Sequence, residues 1–119
     1  MATALDIISR ALRLCRVVDT SGAVPADDAQ DALGTLNAML AEWHEAGIGL
    51  PDYSFDTLDT ELASDIADRE AIAYQLLIRI APEYDAELSP LILAQALQSM
   101  YRLRSRYLAV THPVAADYY

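Results

Sequence analysis

The residues that could do chemistry in this chain are few. It has 119 residues, with two histidines, one cysteine and 18 carboxylates. A nucleophilic catalyst needs a serine, cysteine or threonine held against a base, and that base held by a third group. Neither His44 nor His112 has such a partner in the pattern around it, and Cys15 lies on an apolar stripe that assigns it to the core. Metal binding fares no better, because His44 and Glu45 diverge on a helix and no His or Cys pair has ligand spacing. A glycosidase pair needs one buried acid and one ionised partner across a cleft. Glu42 and Glu45 are the nominees, and their spacing reads more simply as a solvated helix face. The run DALGTL has one glycine and no lysine, so it is no phosphate loop. The expectation is no catalytic residue, no metal, no cofactor and no enzyme.

Charge is the second feature with chemical content. The formal net charge is −10 with a pI near 4.3, and all eight cations are arginine. Arg10, Arg13 and Arg16 share one side of the first predicted helix, and Arg102 and Arg106 lie on the last. A DNA-reading helix normally sits in a basic surface, so a helical regulator is disfavoured in so acidic a chain. The charges are also segregated. Twelve acids and no arginine lie from Asp19 to Asp68, and three arginines and no acid lie between Leu88 and Ala116. That separation suits head-to-tail contact between copies. The expected inter-subunit residues are Arg10, Arg13, Arg16, Arg102 and Arg106 on one side, with Asp52 and Asp56 on the other.

Helices must position these groups. Thr3 to Val18 predicts a first helix, with Thr3 as N-cap, Asp6 three places on, and Leu5, Ile8, Leu12 and Cys15 as its stripe. Pro25 to Ala46 predicts a second, with early acids suited to a helix N-terminus and a stripe of Ala29, Leu33, Leu36, Leu40 and Trp43. Gly47 is placed to end it in the left-handed conformation, with Ile48 folding back. From Gly49 to Ala63 there is no helical period, and Tyr53, Phe55 and Thr57 alternate with polar residues as in a short strand.

A third helix is expected from Ser64 or Asp65 to Ala81, with Ile72, Leu76 and Ile80 inward. Ser89 and Pro90 open a fourth, running to about Tyr107, with Leu91, Ala94, Leu97 and Tyr101 as its expected buried stripe and Met100 and Leu103 alongside. The remaining segment carries Pro113 and no helical pattern. The reading is all-α: a small antiparallel bundle of four main helices, with a long, partly extended loop between helices 2 and 3 and an extended C-terminal tail. Residues 1–107 form the helical domain and 108–119 the arm. No basic segment followed by an apolar core opens the chain, and no apolar run approaches the roughly 18 residues of a membrane span. A soluble protein of a reducing cytoplasm is expected.

The order of elements is also specific. ALRLCRVVD comes first, then LNAMLAEWHEAGIGL, an aromatic extended segment, and LLIRIAPEYDAELSP joining two helices. Over roughly residues 4 to 107 this resembles the tail accessory factors of short-tailed phages, also called head-completion or packaged-DNA-stabilisation proteins. The resemblance implies a dodecameric ring beneath the portal protein. Such a ring extends the DNA channel, retains packaged DNA and offers a platform to the downstream tail or nozzle protein. Double-stranded DNA would pass the lumen without specific binding. The protein would be assembled in the host cytoplasm and end in the virion. Pro82 and Tyr84 then read as a structural corner. Val110, Pro113, Val114, Tyr118 and Tyr119 read as a portal-binding arm, with the tyrosines as anchors. Some members of the family are credited with cell-wall hydrolase activity, the alternative reading, for which no residue pattern is found here.

Overall fold

The computed structural model describes residues 2–15, 24–51 and 54–111. It is a bundle of four helices: α1 (Ala4–Leu14), α2 (Ala26–Glu45), α3 (Ile66–Ile80) and α4 (Pro90–Thr111), with a 3-10 turn at Ala81–Tyr84. α3 is the hub. It packs on α1, α2 and α4, whereas α4 has no extensive contact with α1 or α2.

The helix ends follow the local chemistry. The Thr3 hydroxyl accepts from the Asp6 N–H, and the Asp6 carboxylate accepts from the Thr3 N–H at 2.9 Å. Two of the orphan donors of the first turn are thereby satisfied reciprocally. α2 closes as the sequence predicts. Gly47 has φ 90°, its N–H bonds the His44 carbonyl, and the N–H of buried Ile48 bonds the Trp43 carbonyl. This is a Schellman closure, which needs the left-handed conformation that glycine adopts freely.

Pro82 lies in the first turn of the 3-10 segment, which closes in the same way without a glycine. Asp85 holds the left-handed position at φ 56°, and the Ala86 N–H reaches back to the Ala81 carbonyl. Aspartate tolerates that conformation better than most side chains. Tyr84 and Ala86 pack on the core from this corner. Ser89 caps α4 by accepting the Ile92 N–H.

The core contains the expected faces of α1, α2 and α3: Ile8 and Leu12, then Leu36, Met39 and Leu40, then Ile72, Leu76, Leu77 and Ile80. Three expectations need correction. The described part of the loop from Ser54 to Asp65 is bends and turns rather than a strand. Its extended pairing is limited to a single antiparallel bridge between Thr3 and Glu61. Phe55 is buried as the alternation suggests, but among the described residues no strand lies beside it to form a ladder. Instead the side chain of Asn37 takes both backbone groups of Phe55, at 2.9 and 2.8 Å.

The second correction concerns the face of α4. Leu91 is 67% exposed, and Leu97 and Tyr101 are each 73% exposed. The buried face carries Ala96, Ser99 and Leu103 instead, with Ile92, Met100 and Tyr107 partly buried. Period alone gave two apolar faces for this helix. The small residues Ala96 and Ser99 won the inward position because they let α4 approach α3, where Gln75 donates to the Ala96 carbonyl.

The third is the end of α4, which runs to Thr111 rather than Tyr107. The run from Leu91 to Thr111 contains no proline or glycine to break it. Residues 108–111 are therefore helical, not part of an extended arm.

Candidate functional site

The nominated catalytic groups are not brought together. His44 and Glu45 are exposed at the end of α2, and Glu42 is ion-paired with Arg79. Cys15, which caps the end of α1, is buried and its thiol reaches the Leu12 carbonyl in the last turn of that helix. His112 lies outside the described residues. Among the described residues, no group of three or more His, Cys, Asp or Glu could hold a metal ion.

The most organised polar cluster joins α3 to α4. Asp68 is buried on α3, and its carboxylate accepts from Arg106 at 3.2 Å and from the Tyr107 hydroxyl. Arg106 also binds Asp65, the residue that opens α3, and its guanidinium lies 5.4 Å from the Tyr107 ring centroid. Burial first, and then the bond to Asp68, push the Tyr107 hydroxyl up to about 12. The bond to Asp65, reinforced by the charge of Asp68, raises Arg106 further above its ordinary value. A carboxylate so fully bonded is committed to holding two helices together rather than to proton transfer. Beside it runs a groove of about 570 Å³ between α3 and α4, lined by Tyr74, Gln95, Gln98 and Arg102 among others. Nothing in the sequence marks this cluster. Asp68 and Arg106 are 38 residues apart, and only the packing of α4 on α3 unites them.

The arginines expected to reach other copies divide into two groups. Arg10 pairs with Glu70 at 3.0 Å, and Arg106 is held by Asp65 and Asp68. Arg13 and Arg102 are exposed without an ion pair among the described residues, as is Arg104. Asp56 is exposed in the loop. Arg16 and Asp52 lie outside the described residues, as do Pro113, Val114, Tyr118 and Tyr119. Val110 falls within α4. At the corner, burial and then the neighbouring Asp28 carboxylate push the Tyr84 hydroxyl up to about 12.

Among the described residues, an exposed apolar feature lies on α4. Leu93, Leu97 and Tyr101 follow one another at intervals of four residues; Leu97 and Tyr101 face away from the core, and Leu93, 41% exposed, lies at the edge beside Ile78 and Ala81. Side chains at that spacing form one row on a helix. Sequence reasoning found most of this row but placed it inside. The clue to the contrary was the companion row through Ala96 and Ser99, whose small side chains suit close helix packing.

An all-α module with a structural polar clamp, an exposed apolar row and segregated charge has the character of an assembly component. The model of the P22 tail accessory factor family matches residues 1–115, and the chain belongs to that family. It is thus a phage tail-associated structural protein and a virion component. No curated protein matches the chain. No helix among the described residues is long and apolar enough to cross a membrane.

Proposed function

We propose that this protein is a non-enzymatic head-to-tail adaptor. Copies assemble as a dodecameric ring beneath the portal protein, extend the DNA channel, retain packaged DNA and present a platform to the next tail or nozzle protein. The observation that carries this reading is the family match across almost the whole chain. The exposed apolar row of α4 and Arg13, Arg102 and Arg104, which have no ion pair among the described residues, support it, since a solitary domain has no need of them.

A charge of −10 per copy makes spontaneous closure of a ring self-repulsive, so the free protein is a monomer and the portal templates assembly. The same acidity keeps DNA from binding tightly as it passes. The segment after Thr111, with Pro113, Val114, Tyr118 and Tyr119, anchors the ring to the portal.

Mixing the protein with the portal of the same phage and imaging the product tests the proposal. Portals decorated by a ring, together with a monomeric mass for the free protein, are expected. A portal that binds no copies would overturn the proposal, and a stable ring without portal would overturn the templating step. A chain ending at Thr111 should stay folded yet decorate portals weakly. Undiminished decoration would show that the terminal segment is not the anchor.

A further inference from the structure

We propose that the outward row of α4, Leu93, Leu97 and Tyr101, is a subunit-joining surface that docks on the outer face of α2 in a second copy of this chain. This rests on the ring reading above and names the surfaces that close it.

The row must be covered by something. Leu97 and Tyr101 are each 73% exposed, on a helix whose opposite face is already committed to α3. The occupant is identified by charge. Arg104 lies beside the row without an ion pair among the described residues, and no acid lies on α4. Its complement is therefore an acidic surface, and the chain supplies one. The outer face of α2 carries exposed Asp27, Asp31 and Glu45, none of them ion-paired among the described residues.

Between those acids α2 exposes Gly34, Ala38 and Ala41, and the space outside Gly34 is open. Small side chains there leave room for the large ones of α4. At about 1.5 Å per residue, the row from Leu93 to Tyr101 spans about 12 Å and the stretch from Gly34 to Ala41 about 10 Å. The lengths match.

Within one chain α4 and α2 make no extensive contact among the described residues, and both surfaces are exposed. They are also different surfaces, so contact between copies is head-to-tail. A heterologous contact of this kind propagates around a ring when the rotation closes. Each joint then brings Arg104 of one copy to carboxylates of the next, which offsets part of the repulsion that a charge of −10 per copy imposes.

The test is a chain carrying both Leu97→Cys and Ala38→Cys, assembled on the portal and mildly oxidised. Native Cys15 is buried and serves as the internal control. A ladder of covalent oligomers, absent with wild type, is expected. In parallel, Tyr101→Asp should raise the concentration needed for assembly at least tenfold while leaving the melting temperature of the monomer unchanged. Wild-type rings on the portal without a ladder from the double-cysteine chain would overturn this interface and leave the ring reading standing. Failure of wild type to assemble at all would overturn both. Loss of portal capture by Tyr101→Asp with the ladder intact would show that the row faces the portal, and would also overturn the interface.

Discussion

The hydroxyl of Tyr107, near the end of α4, donates to the carboxylate of Asp68, near the start of α3, and Asp68 is only 3% exposed. One residue earlier, Arg106 bonds the other oxygen of that carboxylate. α4 is attached to the rest of the bundle chiefly through α3, so this clamp fixes its angle and hence the direction in which Leu97 and Tyr101 point. Tyr107→Phe removes one donor from a buried carboxylate that water cannot readily serve. A loss of about 1–3 kcal/mol in urea unfolding is expected. An unchanged midpoint would mean that Arg106 alone suffices.

Tyr84 and Tyr107 also make stability depend on alkaline pH. Both hydroxyls are pushed up to about 12. Below pH 10 folded and unfolded chains are both protonated at these positions, and the stabilisation is fully present. Between pH 10 and 12 the unfolded chain has released these protons while the folded chain still holds them, so stability falls as pH rises. Discounted for solvent screening at these partly exposed groups, each contributes roughly 1–2 kcal/mol over that window. Urea titrations at pH 9 and pH 11 should show the drop, and Tyr84→Phe with Tyr107→Phe should flatten it. Equal slopes in wild type and the double variant would exclude these two tyrosines as its origin.

Core substitutions separate the two faces of α4 from the established interior. Leu36, Leu40 and Ile80 are almost fully buried, and truncation to alanine at any of them should cost about 2–5 kcal/mol. Leu97→Ala should stay within about 0.5 kcal/mol of wild type, as a surface change does. Thermal melts of the four variants provide the check. A large drop for Leu97→Ala in the monomer would place that side chain inside after all.

Asn37 fastens the long loop to α2 by imitating a backbone partner for Phe55. Asn37→Asp keeps the acceptor but turns the donor into a second oxygen facing the Phe55 carbonyl. Destabilisation of about 1–3 kcal/mol is expected, with faster proteolysis between residues 50 and 62. If cleavage rates there are equal in the two proteins, the loop is held by the burial of Phe55 and Leu62 alone.

Helix positions, caps and three of the four buried faces were legible in the sequence because they depend on residues within a turn or two of one another. Thr3 and Asp6 meet within one turn, Gly47 follows the last turn of α2, and the stripes of α2 and α3 repeat at the helical period. Charge segregation and the poverty of catalytic groups were likewise present in the bare chain, as was the order of motifs that points to the family. What the tertiary structure decided is every relation across distance. Asp68 with Tyr107, Asn37 with Phe55, and Arg10 with Glu70 have no local signature, because each pair is joined only when two helices, or a helix and a loop, are packed. The face of α4 belongs to the same class. Both of its apolar rows satisfy the helical period, and the choice between them depends on which fits against α3. Close approach favoured Ala96 and Ser99, which left Leu93, Leu97 and Tyr101 on the surface.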